Sequence, residues 1–288
     1  MYNSMTNKPH IMTLKYRLTI LAMACLMLLP STGEARRKKD MDKEHKVSVV
    51  AHRGFWNCEE AGYARNSIAA LRCAQEAGFW GSEFDVNMTK DSVLIIFHDS
   101  DVEGKKIEKH PYEAFTYFRL ENGEPIPTID EYLEQGKKYP ETTLVYELKT
   151  HSTAEIEDTF VDLTIAELEE HGLLDPERVM FISFSFHMCE RLARKLPGFT
   201  VQYLNGDKKP STVREAGISG IDYNHAILTL NGKWIEEAKE EGMSVNTWTV
   251  NKDSLMVKMI EKGVDQLTTD NPLQAREVIR QMGLTEQR

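Results

Sequence analysis

The feature that most constrains this chain is an alternation. From Val47 onward, short apolar runs trade places with longer amphipathic ones almost to the end. The short runs are strand candidates at 47–52, 82–88, 93–97, 143–148, 178–183, 199–203, 219–223, 243–249 and 264–268. Helical periodicity covers 66–77, 128–138, 153–171, 186–195, 231–241 and 253–262, with Asn66 and Thr128 as N-caps and Gly78, Gly242 and Gly263 where helices stop. Strands separated by helices build a parallel sheet, because each helix carries the chain back to the starting edge. One link breaks the rule. Only about four residues, Thr89 to Ser92, join 82–88 to 93–97, and a parallel crossover needs about a dozen. Those two segments must form an antiparallel hairpin. Setting 93–97 aside leaves eight strands with crossovers. That pattern is an α/β fold, a (β/α)8 TIM barrel with a β-hairpin and a small insertion, 99–127, after its second strand. An open doubly wound sheet is the other architecture the alternation permits.

The barrel pattern leaves the N-terminal stretch over. Lys15 and Arg17 precede an apolar run from Leu18 to Leu29, ended by Pro30; Gly33 and Ala35 then put small residues at a cleavage position. This reads as a secretory signal peptide, 1–35, followed by a polar lead-in, 36–46, and one domain, 47–288. The run is too short for a comfortable transmembrane span. A secreted or periplasmic protein is expected. Ala22-Met-Ala-Cys25 supplies the alternative, a lipoprotein anchored at Cys25, and a membrane contact follows only in that case.

The formal net charge is −10, and removing the net +2 of residues 1–35 (Lys8, Lys15 and Arg17 against Glu34) leaves −12. So acidic a domain excludes general nucleic-acid binding, and any anionic substrate needs a local cation. Three cysteines stay after the signal: Cys58, Cys73 and Cys189. An odd count without metal spacing reads as free thiols, with Cys58–Cys73 the pair that an oxidising compartment could join.

Barrel active sites lie at the C-terminal ends of the strands. There the chain places His52-Arg53-Gly54, Glu83-Phe84-Asp85, Glu147-Leu148-Lys149, Ser183 and Trp248. Glu83 and Asp85 are two apart on one strand, so both point to the same side. Two carboxylates on one face repel unless a cation sits between them. With Glu147 they offer three oxygen ligands, a set that suits Ca²⁺ or Mg²⁺ better than Zn²⁺. The returning hairpin strand brings His98 to the level of these carboxylates. His52 and His98 can then flank one metal and act as base and acid in turn. Arg53 and Lys149 supply positive charge suited to a phosphate. The plain alternatives are a Glu147–Lys149 salt bridge, Ser183 as a strand-end hydrogen-bonder, and Trp248 as packing rather than pocket wall. Asp99 has two readings of equal weight, orienting His98 or capping the insertion, while Asp265 and Asp270 are read as fixing the last loop.

At these residues the chain resembles the glycerophosphodiester phosphodiesterases. The matching pieces are Ala51-His-Arg-Gly54, Glu83-Phe-Asp-Val86, His98-Asp99, Glu147-Leu-Lys149, Ser183-Phe184, Trp248-Thr-Val-Asn251 and Gly263 to Pro272, in family order. The resemblance implies a TIM barrel that hydrolyses a glycerol-phospho-alcohol diester to glycerol 3-phosphate and the alcohol, through a cyclic phosphate. It implies metal ligands at Glu83, Asp85 and Glu147, acid–base histidines at His52 and His98, and phosphate contacts at Arg53 and Lys149. One piece departs: where the family pattern has Pro-Glu-Asn-Thr, this chain has Ala64-Arg-Asn-Ser67. Two other functions fit the same residues. One is lysophospholipase D-type headgroup release, with Tyr112, Phe115, Tyr117 and Phe118 lining an acyl groove. The other is a non-catalytic barrel that binds phosphorylated ligands.

Overall fold

The computed structural model describes residues 45–287. The signal segment, Cys25 and all but the end of the lead-in lie outside the described residues. The strands are β1 (Lys46–Ala51), β2 (Gly81–Met88), β3 (Leu94–Ile96), β4 (Asp101–Val102), β5 (Lys105–Lys106), β6 (Thr143–Leu148), β7 (Val179–Ser183), β8 (Val201–Tyr203), β9 (Gly220–Asn224), β10 (Ser244–Trp248), β11 (Gln266–Thr269) and β12 (Thr285–Gln287). The helices are α1 (Ile68–Glu76), α2 (Ile129–Gly136), α3 (Ala154–Glu170), α4 (Phe186–Lys195), α5 (Pro210–Glu215), α6 (His225–Leu230), α7 (Trp234–Glu240), α8 (Asp253–Glu261) and α9 (Pro272–Gln281).

Strands β1, β2, β6, β7, β8, β9, β10 and β11 pair in that order, all parallel, and β11 returns to β1. The sheet is a closed (β/α)8 barrel. The hairpin sits where the short link requires it: β3 runs antiparallel to β2, with Val86 opposite Ile96. Ser92 takes a left-handed φ of 67° at its turn. Phe97 donates its backbone N–H to the Asp85 carbonyl at 2.9 Å, which sets His98 beside the mouth of the barrel. β12, unforeseen from the sequence, adds to β1 in parallel.

Period-two alternation sorts each barrel strand. On β6, Leu144, Tyr146 and Leu148 face the helices in the main core, whereas Val145 joins Val50, Met180, Ile182 and Leu204 inside the barrel. The same register turns Phe84 outward and Glu83 and Asp85 inward. Phe84 is fully buried, with its ring centroid 4.5 Å from Tyr132 and 5.0 Å from Tyr146. Truncating such a side chain to Ala costs about 3–5 kcal/mol, so the two inward carboxylates ride on a firmly held strand. A smaller core of Ala64, Ile95, Val102, Ile107, Phe115, Leu120 and Ile126 lies under the insertion.

Thr128 caps α2 as expected, in a reciprocal capping box with Glu131. Asn66 does not cap α1. Ser67 does, accepting from the Ala70 N–H. Asn66 lies one residue earlier in a left-handed conformation, φ 57°, and its amide is used elsewhere. Cys58, Cys73 and Cys189 are free thiols. Cys73 packs in a small cluster that Cys58 flanks; burial, then the neighbouring Cys58, push the Cys73 thiol up to about 12.

Candidate active site

Strand pairing assembles the acidic cluster. Asp85 on β2 is directly opposite Glu147 on β6, and Glu83 precedes Asp85 by one pleat. Each of the three offers a carboxylate oxygen within 4.8 Å of the others, and all are buried. Burial, followed by the charges of Asp85 and Glu147, raises the Glu83 carboxyl well above the usual range. Glu147 is pushed up to about 7, by burial first and then by Asp85, against the pull of Lys149. Asp85 goes the other way. Burial works against its charge, but Lys149, His98 and Arg53 outweigh it and hold the carboxyl down at about 2.

The cluster holds a cation of its own. Lys149 Nζ lies 2.7 Å from Glu147 Oε1 and 3.1 Å from Asp85 Oδ1. The salt bridge weighed as a plain alternative for Glu147 is therefore present, and it includes Asp85. Arg53 adds its Nε 3.6 Å from Asp85 Oδ2 and donates its backbone N–H to Glu83 Oε2 at 2.7 Å. That contact needs the chain to turn sharply after His52. Arg53 and Gly54 both take positive φ, 56° and 78°. A Cβ at Gly54 would stand 2.7 Å from Ala70 Cβ, so only glycine lets the loop lie against α1.

Each histidine has a carboxylate partner. His52 Nδ1 meets Asp270 Oδ1 at 2.7 Å, and His52 Nε2 lies 4.0 Å from Glu83. His98 Nδ1 meets Asp99 Oδ1 at 2.7 Å. Burial first, with help from the charges of Lys149 and Arg53, lowers the pKa of His98 against the opposing charge of Asp85 and the hydrogen bond to Asp99. Asp270 is more than a loop anchor. It also accepts from Trp56 Nε1 at 3.1 Å and Asn251 Nδ2 at 2.6 Å, and these bonds with His52 overcome burial to hold it at about 2. Asp265 has the structural role expected, bonding Lys239 and the Val245 N–H.

Two residues that sequence reasoning left out belong here. Asn66 donates to Asp85 Oδ2 at 2.9 Å and accepts from the Asp85 N–H at 3.2 Å. Asp222, on β9, is 1% exposed, and its Oδ1 has no hydrogen-bond partner. Burial and then Glu147 raise its carboxyl well above the usual range. Asp222 had no signal beyond its type, one more acid at a strand end; Asn66 reads as a cap, although it keeps the Asn of the family's Pro-Glu-Asn-Thr.

Most of these side chains converge. One cavity of about 180 Å³ is lined by His52, Arg53, Glu83, Asp85, His98, Glu147, Lys149, Asp222 and Trp248, among others. Trp248 Nε1 donates to the Asp222 carbonyl at 2.9 Å, and its ring meets Phe184 edge-on. Ser183 is the strand-end hydrogen-bonder, Oγ donating to the Leu148 carbonyl at 2.7 Å. Of the four insertion aromatics, Phe118 lines an adjoining cavity, Phe115 is buried in the smaller core with Tyr112 packed on it, and Tyr117 is exposed.

The triad fits a divalent cation. Its donors are all carboxylate oxygens, as a hard ion requires. Glu83 Oε1 is buried without a hydrogen-bond partner, an expensive state that a cation would relieve.

A parallel barrel with a buried acidic triad and two carboxylate-backed imidazoles at its mouth is the frame of a metal-assisted hydrolase. Residues 52–274 match the model of the glycerophosphoryl diester phosphodiesterase family, and the chain belongs to that family of hydrolases. The crystal structure of a glycerophosphodiester phosphodiesterase from Parabacteroides distasonis is 38% identical, covers 83% of this chain and 99% of its own, and superposes with a TM-score of 0.80. A glycerophosphodiester phosphodiesterase from Caldanaerobacter subterraneus is 26% identical over 83% of this chain and its own full length. A phosphodiesterase from Oleispira antarctica, solved with sn-glycerol-3-phosphate as product, shares the fold at 22% identity and a TM-score of 0.68, covering 81% of this chain and 96% of its own.

Proposed function

We propose that this protein hydrolyses glycerophosphodiesters to glycerol 3-phosphate and an alcohol. His52 and His98 are the acid–base pair, and Glu83, Asp85 and Glu147 hold one divalent cation, Ca²⁺ or Mg²⁺. The observation that carries this reading is the meeting of two imidazoles, each backed by a carboxylate, on the cavity that holds the triad. A cation bound there would offset negative charge developing on the phosphoryl oxygens and acidify a neighbouring hydroxyl.

The chain's own groups supply the rest. Arg53 and Lys149 bring positive charge to the phosphate. One imidazole takes the proton of the glycerol 2-hydroxyl as that oxygen bonds to phosphorus. The other gives its proton to the departing alcohol oxygen as the old P–O bond breaks. A cyclic phosphate results. Water then opens it, with the two imidazoles in exchanged roles. Asp270 and Asp99 hold the rings in orientation.

The test is release of glycerol 3-phosphate from glycerophosphocholine after chelation, with Ca²⁺ or Mg²⁺ then restored. His52→Ala and His98→Ala should each lower turnover by at least about 10²-fold. Near-normal turnover removes that histidine from the mechanism. A protein that binds the diester and cleaves nothing is a binding barrel instead.

A further inference from the structure

A second cavity, about 380 Å³, adjoins the first and shares Arg53 and His98 with it. The function proposed above gives it no task, although it holds the one stretch where the sequence departs from the family pattern. Arg65 stands there, a cation in place of an acid. Arg119, from the insertion, stands there too.

Guanidinium groups outnumber carboxylates among the charged residues that line the cavity. Arg53, Arg65 and Arg119 line it against the carboxylates of Asp99 and Glu121. Asp99 meets the His98 imidazole at 2.7 Å, Glu121 pairs with Arg65 at 4.0 Å and Arg53 pairs with Asp85 at 3.6 Å, which leaves Arg119 as the guanidinium of this cavity without a carboxylate partner among the described residues. Both outer guanidinium groups are held in place. The Arg65 fork lies 3.7 Å over the Trp56 ring, covering an aromatic face that a quaternary ammonium would seek. Arg119 Nη1 donates to the carbonyls of Thr116 and Phe118, each at 2.7 Å, which fixes its plane. In a chain of net charge −10 such a cluster opposes the prevailing field.

The inner cavity suits the glycerol. Asp222, with its unpartnered oxygen, and the hydroxyl residues Thr249 and Thr268 line it, and together they match a polyol. The other substituent on phosphorus then extends outward past His98. We propose that the outer cavity receives the departing alcohol and selects alcohols bearing their own anionic group, a phosphomonoester above all, over alcohols bearing a quaternary ammonium. The proposal rests on the phosphodiesterase reading and names its substrate class.

The test uses three diesters with the metal-loaded enzyme: glycerophosphoinositol, its ring-phosphorylated form, and glycerophosphocholine. The phosphorylated diester should exceed its parent by at least about tenfold in kcat/KM, carried by KM, as expected for charge-assisted bonds to a guanidinium. Glycerophosphocholine should be the poorest. Raised salt should shrink the preference. In Arg65→Gln and Arg119→Gln, the ratio of the two inositol diesters within each variant should fall toward one. A wild-type ratio of one or less, a choline preference, or a ratio unmoved by both variants overturns the proposal while the phosphodiesterase reading stands. Turnover of none of the three overturns both. Because the wild-type ratio decides by itself, a variant that fails to fold does not rescue the idea.

Discussion

Glu147 makes the metal-free protein sensitive to pH in a direction opposite to an ordinary ion-paired carboxylate. Its carboxyl is raised from 4.5 to about 7 on folding, chiefly by burial and then by Asp85. A group raised in this way stabilises the fold fully below its unfolded pKa, and that contribution is lost as pH climbs through the folded value. The displacement is worth about 3 kcal/mol. For a domain of this size that is roughly 8 °C in Tm. The perturbation is Glu147→Gln, which keeps the shape and removes the titration. Denaturant unfolding in excess chelator, at about pH 5 and about pH 8, measures both proteins. Wild type should lose about 2–3 kcal/mol more than the variant between those points. Glu83 and Asp222 are raised as well, each partly by the charge of Glu147, so their own pH losses shrink in the variant and add to the difference. Adding Ca²⁺ or Mg²⁺ at the higher pH should restore wild type and help the variant less, because a neutral amide is a poor ligand for a hard ion. Equal pH losses in the two proteins would refute the account of Glu147 as a buried, proton-holding carboxyl.

Three further outcomes are expected. Asp270→Asn should leave the fold intact and lower kcat at least about tenfold with little change in KM, because His52 loses the anion that orients it; steady-state kinetics with an acidic-limb pH profile checks this. Asn66→Gly keeps the left-handed backbone and deletes only the bonds to Asp85, so metal affinity by calorimetry should fall about 10–100-fold. N-terminal sequencing of protein recovered from outside the cytoplasm should begin at Arg36 if the signal is cut where the sequence indicates, whereas mass spectrometry finding an acylated Cys25 would make it a lipoprotein.

The architecture was legible because two simple counts decide it. The Thr89–Ser92 link is too short to cross a sheet, and the remaining strands are separated by helices. The spacing of Glu83 and Asp85 gave a shared face, and β6 then put Glu147 opposite Asp85. What the sequence hid is long-range pairing. Asp270 meets His52 from 218 positions away, and no local pattern distinguishes it from Asp265, whose role is structural. Asn66 was misassigned because a cap and a carboxylate partner are the same residue type, and Ser67 beside it takes the capping role. Of the missed helices, α5 and α6 are too short to show a period. α9 did carry a signal, Pro272 at its first turn.

The ammonium of Lys149 lying between Asp85 and Glu147 gives the acidic cluster an internal counter-ion. The lysine compensates part of the acidic charge at the mouth of the barrel. A monovalent ion entering there would bring no more charge than the lysine it displaces. A cation seated among these oxygens has to offset more charge than the lysine already does, a demand that two charges meet better than one.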